Sequence, residues 1–163
     1  MRGHQYLTLA LSLLVVGCTQ NASRPKSTAG LSKEGTAGKI KKVRTTAYTG
    51  SEGSRYNAMG SRLQSTNMMS AAADWSRFPY GTIFRLLENN QTYVVDDYGA
   101  ALVGTETIDL YMPSRPLMNR WGVRHVSIEL VEPGSYTKSL QILRPRKQLP
   151  FVRRMVNDLE KKL

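Results

Sequence analysis

Three aspartates stand where a carboxyl group can do acid–base chemistry. Asp74 follows Ala71-Ala72-Ala73, Asp97 follows Val94-Val95-Asp96, and Asp109 lies inside Ile108-Asp109-Leu110-Tyr111. A carboxylate framed by apolar, β-prone residues is expected to be partly buried. Burial disfavours the charged form and raises the pKa, and a second carboxylate nearby raises it further. A carboxylic acid that is still protonated near neutral pH is what general-acid cleavage of a glycosidic bond requires. Taken singly, each aspartate reads more readily as a turn cap or a structural hydrogen-bond acceptor, and spacing alone does not reverse that. Other chemistries find few residues. The histidines are His4 and His125 and the one cysteine is Cys18, so no metal-ligand cluster and no Ser-His-Asp arrangement is legible, and no phosphate loop is present. No metal and no cofactor are expected.

The elements that must position these carboxylates read as short strands and turns. Val43 to Tyr48 is β-branched and aromatic, and Thr49 to Tyr56 is a Gly/Ser loop. Met68 to Ala73 is a strand of small residues ending at Asp74. Thr82 to Leu87 and Thr92 to Asp97 flank Glu88-Asn89-Asn90-Gln91, a hairpin signal. Thr107 to Met112 alternates, with Thr107, Asp109 and Tyr111 on one face and Ile108 and Leu110 on the other. Pro113 to Trp121 suits a short helix. Val123 to Val131 alternates again, with Val126, Ile128 and Leu130 apolar. Long helical patterns are too few for a βαβ sheet, so the expectation is an all-β fold, a small closed barrel. Beyond Pro133-Gly134 the period changes. Phe151, Val152, Met155, Val156, Leu159 and Leu163 fall at helical spacing after Pro150. This C-terminal amphipathic helix either packs on the barrel or lies on a membrane surface.

The chain has 163 residues and a mass of 18.2 kDa, enough for one domain, and 40% hydrophobic residues support an ordinary core. A single cysteine excludes an internal disulfide. The net charge of +11 invites a nucleic-acid reading, but its distribution argues against one. Residues 19–42 hold six basic and one acidic residue, and residues 138–163 hold eight and two, whereas 43–137 hold eight basic and nine acidic. Charge gathered at the ends suits an anionic envelope surface or plain solubilisation better than a nucleic-acid groove. The apolar run Tyr6 to Val16 is shorter than a membrane span and suits a signal-peptide core. Leu14-Val15-Val16-Gly17-Cys18 resembles a bacterial lipobox, with Cys18 as the lipidated residue. The expected organisation is a lipoprotein signal peptide over 1–17, a flexible tether over 18–40, a barrel over 41–134 and a basic tail with a helix over 135–163. Thr19 after Cys18 leaves no inner-membrane retention signal, so the expected location is the cell envelope, lipid-anchored on the periplasmic face of the outer membrane.

Six segments together carry a family resemblance. Thr45-Thr46-Ala47-Tyr48-Thr49, Ala58-Met59-Gly60, Ala72-Ala73-Asp74-Trp75 with Pro79-Tyr80-Gly81-Thr82, Asp97 to Gly104, Ile108-Asp109-Leu110-Tyr111 and Trp121-Gly122-Val123-Arg124 stand in the order of the three-aspartate (3D) domain. That domain is similar to the catalytic domain of the A-type membrane-bound lytic transglycosylases. The resemblance implies a six-stranded double-psi β-barrel and cleavage of the MurNAc–GlcNAc bond of peptidoglycan by one carboxyl group. That group protonates the leaving oxygen and then takes the proton of the C6 hydroxyl as a 1,6-anhydro ring closes. It implies that Asp109 is the acid/base, Asp97 a supporting carboxylate and Asp74 a structural or substrate-facing one. Tyr48, Trp75, Tyr98, Gly99 and Ala100 are then expected to bind substrate. Trp75, Tyr80 and Tyr98 read equally as sugar-stacking faces and as barrel packing. The family's D-T-G-G is here Asp97-Tyr98-Gly99-Ala100, and the adjacent Asp96 leaves the register open by one. Two other readings remain: a non-catalytic peptidoglycan-binding or wall-loosening module, and a structural lipoprotein whose barrel only grips the wall.

Overall fold

The computed structural model describes residues 37–51 and 54–163. The expected signal peptide, Cys18 and the tether as far as residue 36 lie outside the described residues. Six strands close a barrel: β1 (Ile40–Tyr48), β2 (Met68–Ala72), β3 (Ile83–Leu86), β4 (Thr92–Asp97), β5 (Ile108–Tyr111) and β6 (Arg124–Glu132). The order around the barrel is β1-β5-β2-β4-β3-β6. β1 runs parallel to β5 and β2 parallel to β4, and every other neighbouring pair is antiparallel. Exchanging β1 with β4, β2 with β5 and β3 with β6 reproduces the same pairings, so two three-strand halves are related by a pseudo-twofold. In each half the link from first to second strand steps over a strand of the other half: β5 lies between β1 and β2, and β2 between β4 and β5. This is the double-psi arrangement.

Strand alternation builds the core. Val43, Ala71, Phe84, Tyr93, Val95, Ile108, Leu110, Val126 and Ile128 are buried, and their sequence neighbours point outward. The β3–β4 hairpin forms where the Asn pair predicts it, with Asn90 in the left-handed region at φ 58°. β1 starts earlier than its composition suggests, because Ile40 already pairs with Glu129 and the Gly38 amide donates to the Leu130 carbonyl. The last expected tether residues are therefore part of the barrel.

Three helices complete the fold: α1 (Arg115–Trp121), α2 (Tyr136–Leu143) and α3 (Pro150–Glu160). The expected basic tail is folded rather than loose. The Ser135 side chain caps α2 by accepting from the Lys138 amide, and Leu140 and Leu143 are buried. The apolar stripe of α3, Val152, Met155, Val156 and Leu159, is fully buried in the same core cluster as the barrel residues. Packing on the barrel is thus the outcome for this helix. Gly134 permits the join: a Cβ there would lie 2.2 Å from the Pro79 carbonyl oxygen. No helix of the described residues is long and apolar enough to cross a membrane.

Candidate active site

One rung of the barrel builds the site. Thr46 on β1 pairs with Asp109 on β5, Asp109 pairs with Ala72 on β2, and Ala72 pairs with Asp97 on β4. Cross-strand partners point to the same face of a sheet. The inward faces are taken by Ile108, Leu110 and Ala71, so these four side chains face outward. Two strand spacings put the Asp97 and Asp109 Cα atoms roughly 10 Å apart. Ala72 stands between them on the rung, and its methyl is almost fully buried. The four residues floor a groove of about 450 Å³.

A bulge makes this rung possible. Ala71 pairs with Val95 but Ala72 pairs with Asp97, so Asp96 is the extra residue of β4. Plain alternation would send Asp97 inward. The bulge turns Asp97 to the same outer face and settles the open register: Asp97 lines the groove, while Asp96 is buried beneath the segment before β2. Asp96 Oδ2 accepts from Asn57 Nδ2 and from Ser70 Oγ, each at 2.8 Å. Burial raises the Asp96 pKa against the pull of those hydrogen bonds.

Asp97 is poised near neutrality. Burial pushes its carboxyl up to about 6, helped by the negative charge of Asp96 and opposed by hydrogen bonds that include the Tyr98 amide. That amide donates to Asp97 Oδ1 at 2.9 Å. Asp109 Oδ1 accepts from the Thr46 hydroxyl at 2.6 Å. Tyr48 stands beside both. Burial first, and then the charges of Asp97, Asp96 and Asp109, hold its phenol protonated well beyond the usual range. The Tyr48 hydroxyl is buried and completes no hydrogen bond of normal geometry, yet it lies close enough to Asp97 to lower that carboxyl's pKa.

The remaining expected site residues divide. Tyr98, Gly99 and Ala100 line the groove with Tyr48. Tyr98, the departure from the family pattern, has a structural explanation. Its hydroxyl accepts from Arg146 Nη1 at 3.0 Å, and its ring lies 6.2 Å from that of Phe151. The tyrosine ties the groove wall to the C-terminal helices. Gly99 has ordinary extended backbone (φ −139°), whereas Gly104 turns the loop at φ +83°.

Asp74 and Trp75 do not reach the groove. Asp74 is fully buried, and its oxygens accept from the Ser76 amide and hydroxyl (2.8 Å each) and from the Gly104 amide (2.7 Å). It staples the β4–β5 loop to the segment after β2, which accounts for it as a structural carboxylate rather than a catalytic one. Trp75 is also fully buried. Its indole donates to the Asp97 carbonyl at 2.8 Å, and its ring meets Tyr80 and Tyr98 edge-on at 5.1 and 5.0 Å. It supports Asp97 from behind and, being buried, offers no face to a sugar.

Thr46 and Arg44 are among the groove residues not expected from the sequence. Thr46 orients Asp109, and Arg44 lines the groove with Nη1 3.2 Å from Thr107 Oγ1. The signal was present: Arg44, Thr46 and Tyr48 alternate along β1, so once Tyr48 faces the site the other two must follow. Among the described residues, no three His, Cys, Asp or Glu side chains gather as a metal site. No protein-family model matches the chain, and no curated protein matches it.

Proposed function

We propose that this chain is a peptidoglycan-cleaving lytic transglycosylase of the cell envelope, working through a proton-donating carboxyl and a second, supporting carboxyl. The observation that carries the reading is the rung itself: two carboxyls, Asp97 and Asp109, line one groove with Ala72 between them on the rung. A glycan strand lying along the groove brings a glycosidic oxygen to Asp97. Asp97, whose proton persists to about pH 6, donates to that leaving oxygen. Asp109, oriented by Thr46, is the second carboxyl, placed to support the positive charge that develops at the anomeric carbon. The Asp97 carboxylate then takes the proton of the C6 hydroxyl, whose intramolecular attack closes the anhydro ring and needs no water. This assignment exchanges the two roles that the family resemblance implies, because the environment of Asp97 supplies the cause for a retained proton. Tyr48, kept as a phenol, sets a buried, uncharged hydroxyl beside Asp97. The envelope placement and the lipid anchor at Cys18 belong to the same proposal and rest on the sequence alone.

The test is release of soluble fragments from purified cell-wall sacculi. Wild-type protein is expected to release them at a rate that declines as pH rises through about 6. Asp97→Asn is expected to lower the rate by at least about a hundredfold, the usual scale of general-acid catalysis. Sacculi that bind the protein but are never cut shift the reading to a binding module.

A further inference from the structure

A second cavity, about 430 Å³, lies against the first and differs from it in charge. The two share Thr49. Between them stand Tyr48 and Tyr111, register partners on β1 and β5 with ring centroids 5.6 Å apart. Tyr111 follows Asp109 by two residues on the same outward face of β5, so the two sites are separated by little more than one aromatic ridge. The first site presents carboxylates. The second is lined by Arg55, Arg62 and Arg115 together with Ser51, Ser65 and Ser114, and no carboxylate is among its described lining residues.

The arginines are set in place by the fold. Tyr56 and Arg62 form an antiparallel bridge, and the Leu63 amide donates to the Arg55 carbonyl at 3.0 Å. This small hairpin brings Arg55 and Arg62 to the same end of the segment between β1 and β2. Neither joins an ion pair among the described residues, whereas Arg115 already has an interaction of its own. Both residues are exposed and line the one cavity, so an oxyanion that enters it meets two guanidinium groups.

From this segregation of charge we infer that the Arg55–Arg62 cavity is an oxyanion subsite that accompanies the groove. It takes a carboxylate or phosphodiester carried beside the uncharged sugars of a wall glycan. The inference rests on the proposed glycan-cleaving role and adds the substrate feature that the site selects: strands bearing charged substituents, in preference to bare sugar. Guanidinium groups suit such ligands because their paired N–H donors match two oxygens of one group. The acidic groove repels the same anion, so the ligand's register along the barrel is fixed from both ends.

The experiment measures co-sedimentation of the full chain with three preparations of sacculi: phosphate polymers retained, phosphate polymers stripped, and stripped with free carboxyls converted to amides. Wild-type affinity is expected to fall on the order of tenfold at whichever step removes the recognised oxyanion, and to weaken with added salt, as partly exposed charge-assisted contacts do. A fall at the stripping step identifies the phosphodiester, and a fall at the amidation step identifies the carboxylates of the peptide stems. Arg55→Gln/Arg62→Gln is expected to bind all three preparations equally, and Arg55→Lys/Arg62→Lys to keep the wild-type ranking. Equal wild-type binding to all three, or an unchanged ranking in the glutamine variant, overturns the subsite and leaves the glycan-cleaving reading standing. Absence of wild-type binding to any sacculus overturns both.

Discussion

Replacing Asp97 with asparagine should make the protein more stable and inactive at once. The folded state keeps the Asp97 proton to about pH 6, whereas the unfolded chain releases it near the ordinary value of 3.8. Between these values the folded state binds more protons, so the carboxyl's contribution to stability is full below about pH 4 and is lost as pH rises towards 6. A difference of about two pKa units corresponds to about 3 kcal/mol at 1.36 kcal/mol per unit, and partial solvent access reduces it to about 2 kcal/mol. Asparagine keeps an acceptor for the Tyr98 amide and carries no charge, so it matches the protonated acid in shape and removes the penalty of ionisation. Thermal unfolding of both proteins from pH 4 to pH 8 measures this. The two melting temperatures should be close at pH 4 and separate through pH 6. At pH 7 and above the variant should lead by about 8 °C, from about 4 °C per kcal/mol for a domain of this size. A variant less stable than wild type at pH 7, or a gap that does not change with pH, refutes burial as the cause of the raised pKa.

Other substitutions separate the scaffold from the site. Asp74→Ala leaves the Gly104 amide and the Ser76 groups without their acceptor in a fully buried position, and should cost about 3 kcal/mol in urea denaturation. Ala72→Leu places three extra carbons between Asp97 and Asp109, and should abolish binding of glycan fragments in calorimetry while the far-ultraviolet circular dichroism stays that of the wild type. Thr46→Val removes the hydroxyl that holds Asp109, and should lower the cleavage rate by about tenfold with little change in glycan affinity, consistent with about 1–1.5 kcal/mol for one hydrogen bond that positions a reacting group.

Much of the barrel is legible in the sequence because strand alternation is a local property. Ile108, Leu110, Val126 and Ile128 announce their inward faces, and the Asn89-Asn90 pair announces the hairpin. The placement of Asp109 on an outward face follows from the same period. The position of Asp97 does not. It depends on a bulge, and a bulge reverses the face that alternation assigns without marking the sequence. Asp74 carries the same apolar flank as a buried catalytic acid, but its partner is a main-chain amide at Gly104, thirty residues on, which has no side-chain signal to read. Trp75 is ambiguous for a related reason: an indole suits a sugar face or a core, and only the carbonyl of Asp97 decides between them. α2 escaped notice because Leu140 and Leu143 are too few to set a helical period, although Ser135 supplies an N-cap. The tyrosine at 98 makes sense only beside Arg146 and Phe151, which stand about fifty residues away in sequence.

The most direct test of the account is mass spectrometry of the products left when purified peptidoglycan is incubated with the protein, Asp97→Asn and Asp109→Asn. The account predicts 1,6-anhydromuramyl ends from the wild type and none from either variant. Reducing ends would contradict the intramolecular step and assign hydrolysis to the same two carboxyls. Full activity in Asp97→Asn would contradict the central claim that the proton held on the groove floor is the one the reaction uses.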